Sequence, residues 1–269
     1  QVSSLHSMIS YTISIVSHNS GRYLKMLLKD LSKRLPPKAE VILTINVPED
    51  ESYLHNAVGF PLKVIRNSSP MGFGANHNQA FGNASGDRFV IINPDVRIER
   101  NPWHELNKAY DLDTGACAPI ILSPSGIIED SARCFPTIRS LLKRIIFRIH
   151  RPDYIVPDEL SPVAVDWTAG MFVMFDSASF EAVGGFDTSY FMYLEETDLV
   201  LRIKKITGKK CCFSTKSIVI HLEGSSNIES NKKILITRNY LKFIKKNYKG
   251  VQLLIGYFWY FLKLVKNYF

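Results

Sequence analysis

Over its first two-thirds the chain alternates short apolar runs with amphipathic ones, and this alternation limits the fold more than any other feature. "YTISIVS" reads as a strand, and "GRYLKMLLKDLSKRL" as a helix with Leu24, Leu27, Leu28 and Leu31 on one face. "AEVILTIN" and "LKVIRN" read as the second and third strands. A Gly-rich turn, "GFGANHNQAFGNA", then runs into a helix. "RFVIIN" is a fourth strand, "PWHELNKAY" a helix with proline near its first turn, and "GACAPIIL" a fifth strand. Strands and helices at this spacing imply βαβ units, hence an α/β fold with a mainly parallel central sheet and flanking helices.

Residues 123–165 interrupt the pattern with five prolines and the basic run "KRIIFRIHR", and read as a loop-rich insertion near the site. Regularity returns with the strand "DWTAGMFVMF" and the helix "SASFEAVGGF", which ends at Gly184-Gly185. The acidic stretch "YFMYLEETDLVLRI" comes next, then two short strands, "KCCFS" and "SIVIH". A chain of 269 residues accommodates one large domain over residues 8–229 and a helical tail over 230–269.

Charge divides the chain the same way. The net charge is +8, yet no Asp or Glu follows Glu229, and nine Lys or Arg residues lie beyond it. The body is therefore close to neutral. That argues against a nucleic-acid-binding core, which would spread its bases over a folded face. Four cysteines without C-x-x-C or zinc spacing read as reduced thiols of a cytoplasmic protein. The N-terminus has no basic region followed by a long apolar run, so no signal peptide is expected. In the tail, basic residues interleave with Tyr240, Phe243, Tyr248, Phe258, Trp259 and Phe261, among other aromatics, while the uncharged run 250–262 is shorter than a bilayer span. This pattern suits helices lying in an anionic headgroup layer; a packed cap or a dimer contact is the alternative.

In an open α/β sheet, ligands bind at the carboxyl ends of the strands. Polar residues recur there: Ser17, His18 and Asn19 after the first strand, Asn46 after the second, Asn67 after the third, Asn93 and Asp95 after the fourth, and His221 after the last. In "INPDV", Asp95 has the chemistry to hold Mg²⁺ or Mn²⁺, hard ions that take oxygen ligands and substrate phosphates; an Asx turn closing the strand is the plainer reading. His221 is either a metal or diphosphate partner to Asp95 or a capping histidine. "GFGANHNQA" resembles a phosphate loop only loosely, and packing of a helix start against the sheet explains it equally well. In the acidic stretch, Glu196 shares a stripe with Leu199, Val200 and Ile203, so it alone of Glu195, Glu196 and Asp198 is expected to point inward, as a general base. Glu195 and Asp198 read as a capping cluster, with Asp198 paired to Arg202 at i,i+4.

Taken in order, "IVSHNS", "GFGANHNQA", "INPDV", "VDWTAGMFVMF", "GGFDTSYFMYLEETDLVLRI" and "HLEGSS" resemble the family 2 glycosyltransferases of GT-A fold, and among them the bacterial rhamnosyltransferases of O-antigen and related surface polysaccharides. The resemblance implies that Asp95 occupies the second carboxylate position of the family's D-x-D motif and that Asn93 replaces the first. Glu195-Glu196 stands for the family's E-D pair, making Glu196 the base, supported by Glu195, Asp198 and Arg202. Trp167, Thr168, Ala169 and Gly170 match the donor-sugar and acceptor pocket, and His221 completes the metal site. Ser17, Asn19, Thr44, Asn46, Gly72, Asn78, Asn93 and Asp95 fall on the donor side. The aspartate that reads the base is replaced by Ile45, so Thr44, Asn46 or backbone must do so. The resemblance further implies a divalent cofactor, a nucleotide-sugar donor with dTDP-sugar favoured, a polyprenyl-diphosphate-linked acceptor and a peripheral place on the cytoplasmic face of the bacterial inner membrane. Rival readings are the same fold with UDP-galactofuranose or a UDP-hexose, and a nucleotide-sugar-binding protein without catalysis.

Overall fold

The computed structural model describes residues 9–56, 59–138, 140, 153–154, 162–222 and 230–268. The run "KRIIFRIHR" and the end of "HLEGSS" lie outside the described residues. The strands are β1 (Tyr11–Ser17), β2 (Ala39–Ile45), β3 (Leu62–Arg66), β4 (Arg88–Ile92), β5 (Val96–Arg97), β6 (Thr114–Leu122), β7 (Ala132–Arg133), β8 (Val163–Val165), β9 (Trp167–Thr168), β10 (Phe172–Asp176) and β11 (Lys210–His221). The helices are α1 (Gly21–Arg34), α2 (Phe73–Phe81), α3 (Trp103–Ala109), α4 (Ser177–Ala182), α5 (Glu195–Thr207), α6 (Ser230–Asn247) and α7 (Gly250–Tyr268).

One sheet has the order β3-β2-β1-β4-β10-β6-β11-β5, with β8 also on β11. The expected parallel half is present: β1 pairs parallel with β2 and β4, and β2 with β3. The other half corrects the mainly parallel expectation. β10 runs antiparallel between β4 and β6, and β11 runs parallel to β6 but antiparallel to β5 and β8. The sheet is therefore mixed. The reason lies in the connections: β10 follows a long excursion after β6 that carries β7, β8 and β9, and it is entered directly from β9, so nothing forces it to return in the parallel direction. The two strands expected in residues 210–221 are one, with a register slip between Ser214 and Ile218.

Apolar layers cover both faces. Leu24, Leu27, Leu28 and Leu31 of α1 pack with Trp103 and Leu106 of α3 on one face. Ala80 of α2, Phe180 of α4 and Leu199, Val200 and Ile203 of α5 pack on the other. His77 of α2 is shut inside this second layer, its Nδ1 at 2.8 Å from Ser14 Oγ. Burial alone pushes its pKa down to about 3, so the imidazole is neutral.

The C-terminal residues form a hairpin of two helices. α6 lies along the segment before α5, placing Phe243 with Tyr190 and Leu194. α7 folds back on α6, with Trp259 edge-on to Tyr240 at 5.5 Å between ring centres. No helix among the described residues is long and apolar enough to cross a membrane.

The Gly-rich turn has a packing reason. The Phe73 N–H donates to the Phe191 carbonyl at 2.9 Å, and a Cβ on Gly72 would stand 2.5 Å from that same oxygen. Backbone lies on both sides of the contact, so neither can yield cheaply. Gly72→Ala is expected to destabilise the fold by about 1–3 kcal/mol, as overpacking does. Gly82→Ala, where the new Cβ meets only ordinary contacts at 3.6 Å and the backbone is helical, should leave the urea midpoint unchanged or raise it.

Candidate active site

Strand direction assembles the site. β1, β2, β3, β4, β6 and β11 all run one way, so their carboxyl ends share one edge. β10 runs the other way and brings the residues before it, Trp167 to Met171, to that edge. The Asn93 N–H donates to the Met171 carbonyl at 2.8 Å and ties the two segments together.

At the end of β4 the "INPDV" turn closes with the Val96 N–H on the Asn93 carbonyl, and the Leu222 N–H donates to the Asp95 carbonyl at 2.9 Å. These bonds fix Asp95 beside His221. His221 Nε2 lies 3.0 Å from Asp95 Oδ2, and Nδ1 lies 3.2 Å from Glu129 Oε2. Burial works against protonating His221, but the two carboxylates outweigh it and its pKa rises. Asp95 Oδ1 is shielded from solvent and has no hydrogen-bond partner. Asp95 and His221 thus meet as expected. Glu129 has no counterpart in the sequence reading: it is one of five acids within the insertion, without periodicity or a neighbouring motif to mark it.

The second acidic centre lies at the start of α5. The helix is not a surface helix with one apolar stripe, because the sheet covers one side and α4 and α6 cover others. The inward stripe predicted for Glu196 is therefore corrected. Glu195 is only 3% exposed and Asp198 only 1%, whereas Glu196 is half-buried. Asp198 is no cap. Its Oδ2 takes the Arg202 guanidinium at 2.7 Å, the predicted pair, and its Oδ1 takes Lys246 Nζ from α6 at 2.7 Å. Lys246 also reaches Asp187 Oδ2 at 2.8 Å.

Glu196 sits by the pocket segment. Burial raises its pKa, while the backbone N–H groups of Glu196 and Gly170, together with the charge of Arg133, offset part of the rise. Glu195 is also raised, by burial and then by the neighbouring Glu196 charge; only its own backbone N–H opposes the shift. One oxygen on each has no hydrogen-bond partner. The two adjacent carboxyls are both held above the usual carboxylate range, but only Glu196 has a second backbone N–H and a nearby cation to favour its charge.

The pocket segment is anchored by the Ala169 N–H on the Ser131 carbonyl and by Trp167 Nε1 on the Cys134 carbonyl. Trp167, Ala169 and Gly170 are half-buried; Thr168 is fully buried behind them.

The donor-side residues divide. Asn93 and Asp95 stand at the edge, and exposed Asn19 joins Glu49, Tyr53, Arg22 and Lys25 around a cavity of about 450 Å³. Asn46 is fully engaged. Its Oδ1 accepts from the Asn67 side chain and the Met71 N–H, and its Nδ2 contacts His18 Nδ1 and the Met71 carbonyl. It holds the 67–72 loop in place. Four further placements differ from the expectation for direct donor contacts. Thr44 is fully buried in the sheet. Ser17 is fully buried and donates to Glu49 at 2.6 Å. Gly72 is a close-approach residue against Phe191. Asn78 is taken up by the Phe186 backbone, accepting its N–H and donating to its carbonyl, each at 2.8 Å.

Residues 12–157, just over half the chain, match the family described as "Glycosyl transferase family 2". The chain belongs to glycosyl transferase family 2. It is 25% identical over 268 residues to "Rhamnosyltransferase WbbL" of Escherichia coli (strain K12), covering 85% of this chain and 96% of that protein. It is 26% identical over 235 residues to "N-acetylglucosaminyl-diphospho-decaprenol L-rhamnosyltransferase" of Mycobacterium tuberculosis, covering 78% of this chain and 75% of that one. Among solved structures, GalNAc-T7 with UDP, GalNAc and Mn²⁺ superposes with a TM-score of 0.66 at 16% identity, over 88% of this chain and 50% of that chain. The mannosyltransferase PcManGT of Pyrobaculum calidifontis superposes with a TM-score of 0.62 at 13% identity, over 97% and 75%. The fold of this family 2 glycosyltransferase is thus an α/β GT-A-like fold with a mixed central sheet.

Asp198 in this glycosyltransferase ties α5 to α6 and, through Arg202 and Lys246, to the end of α4 and to Asp187, so its removal should be felt in stability. Asp198→Ala leaves Arg202 and Lys246 facing a void. The cost is expected near 1–3 kcal/mol, below that of a wholly buried pair because both cations reach solvent. Urea unfolding followed by circular dichroism checks this.

Proposed function

We propose that this enzyme transfers L-rhamnose from dTDP-L-rhamnose, with inversion, to a saccharide carried on a polyprenyl diphosphate. The carrying observation is Glu196, half-buried, with a raised pKa, against Gly170 at the same sheet edge as Asp95 and His221. The rhamnose and lipid-linked assignments are supported by the two curated relatives, each covered by this chain over three-quarters or more of its length.

The chemistry requires one displacement. The Glu196 carboxylate takes the proton of the acceptor hydroxyl. The hydroxyl oxygen bonds to the anomeric carbon as the bond from that carbon to the diphosphate oxygen breaks, and the nucleoside diphosphate leaves with the bonding pair. One displacement inverts the centre. Trp167 and Gly170 line the sugar side, and Asn19, by the cavity near α1, lies on the nucleoside side.

The residues at Asp95 fit a divalent ion. An orphaned, shielded carboxylate oxygen stands next to an imidazole. Few protein ligands, completed by diphosphate oxygens, are how Mg²⁺ or Mn²⁺ is commonly held. Asp95 and His221 would hold it, and its charge would stabilise the departing diphosphate.

A transfer assay with a polyprenyl-diphosphate N-acetylglucosamine acceptor tests the assignment. dTDP-L-rhamnose should be used in preference to UDP-galactofuranose and UDP-hexoses, and chelator should abolish turnover; preference for a UDP-sugar overturns the donor. Glu196→Gln should fold normally and lose roughly 10²–10⁴-fold in kcat. For the parent enzyme, kcat/KM should fall as pH drops through a pKa above the ordinary carboxylate range, because the base works only when ionised. A profile flat down to pH 4 would contradict that.

The tail supports a peripheral place on the cytoplasmic face of the bacterial inner membrane. Val251, Leu254, Phe258, Phe261 and Val265 are all exposed and form a stripe at three- and four-residue spacing along α7, with Tyr257 beside it. Lys245 and Lys249 are exposed near its start, and no acid follows Glu229. Apolar side chains entering the headgroup layer, with bases each worth about 1 kcal/mol near anionic lipid, suit this surface. Full-length protein should sediment with vesicles containing phosphatidylglycerol and release as salt rises. Phe258→Glu with Phe261→Glu should abolish sedimentation without shifting the unfolding midpoint. Equal sedimentation by both proteins would defeat the role of α7.

A further inference from the structure

α5 begins in an unusual way. Its N-cap, Leu194, has φ of 69°, and Tyr193 before it has φ of 74°. Two successive left-handed residues, neither of them glycine, each cost on the order of 1 kcal/mol or more and persist only where the surroundings impose them. Glu195 and Glu196 follow at once, so the direction of their carboxyls depends on this turn being held.

The holding group comes from α6. Asn239 is 5% exposed, and its Nδ2 donates to the Met192 carbonyl at 2.7 Å and the Tyr193 carbonyl at 3.0 Å. One amide thus grips consecutive carbonyls of the strained turn. The same face of α6 continues along the segment. Lys242 donates to the Ser189 carbonyl, Phe243 packs against Tyr190 and Leu194, and Lys246 bridges Asp187 and Asp198. Although burial works the other way, Lys246 and Ser189 hold Asp187 down to about 2, so this anchor stays charged at working pH.

We infer that Asn239 is a positioning residue for transfer: by pinning the left-handed Tyr193–Leu194 turn it sets Glu196 against Gly170. It acts through the backbone and touches neither substrate nor reacting atoms. The inference rests on the reading of Glu196 as base, and the two fail separately. If Glu196→Gln keeps its turnover, that reading falls. If Glu196→Gln is inactive and Asn239→Ala is unimpaired, only the present inference falls.

The test compares kcat with donor KM, each normalised to the folded fraction by circular dichroism. Asn239→Ala should lower kcat roughly 10- to 100-fold, the scale of a base displaced by about an ångström, with donor KM changed less than about twofold. Asn239→Asp has the same shape but no N–H to donate, and should lose as much. Tyr193→Gly in the Asn239→Ala background should recover most of the lost kcat, because glycine adopts positive φ without being held. An unchanged kcat, a loss confined to folded fraction, or no recovery with glycine overturns the proposal. If Asn239→Ala does not fold, Lys246→Met is measured in its place. A kcat loss restored by Lys246→Arg sustains the clamp; no loss, or a loss that arginine does not restore, rejects it.

Discussion

Asp198 is the group on which the catalytic half depends. A carboxylate buried to 1% exposure costs several kcal/mol unless cations and hydrogen bonds replace its water. Here the cations come from two directions. Arg202 is one helical turn away on α5, and it also donates to the Val183 carbonyl at the end of α4. Lys246 comes from α6 and carries Asp187 with it. The acid thus joins α4, α5, α6 and the 187–194 segment into one unit.

Against that rigid base the neighbouring carboxyls can differ. Glu195 and Glu196 are adjacent in sequence and both raised in pKa, but their surroundings are unequal. Glu196 receives the Gly170 N–H and feels Arg133; Glu195 has only its own backbone N–H. Burial raises both, and the extra amide and cation at Glu196 favour its charged form. A helix N-terminus favours negative charge, which eases ionisation of Glu196 in spite of its burial. Chemical inequality between like residues here follows from which backbone amide each one meets.

The parallel half of the sheet was legible because α1 joins β1 to β2 and α2 joins β3 to β4, between apolar strand runs that stand out in the sequence. The Asp95–His221 meeting was legible because both residues end apolar strands. The direction of β10 was not, since the excursion between β6 and β10 carries no periodic signal. The stripe through Glu196 misled because α5 is covered on more than one side: once Asp198 has Arg202 and Lys246, a charged face can be an inner face. Gly72 and Asn78 stood out by composition, but the same residue types serve close backbone packing, and only the Phe191 and Phe186 contacts distinguish the two uses. Glu129 and Asn239 have no local pattern at all. They matter through partners 92 and 46–47 residues away.

The tail divides its labour by face. On α6, Asn239, Lys242, Phe243 and Lys246 sit at i, i+3, i+4 and i+7, one helical stripe turned toward the turn before α5. On α7, Val251, Leu254, Phe258 and Phe261 make a second stripe turned toward solvent. The packing of Trp259 on Tyr240 and the turn at Gly250, with φ of 57°, join the two helices. The proposed acceptor is lipid-linked and would arrive at the level of the headgroups, so the proposed base, Glu196, would have to lie at a fixed height above the membrane surface. In the proposed arrangement the same hairpin supplies both references. α7 defines the surface, and α6, one short turn away, holds the strained backbone from which Glu196 projects. A loose tether could concentrate the enzyme at the membrane but could not fix that height; a hairpin packed into the catalytic unit can do both.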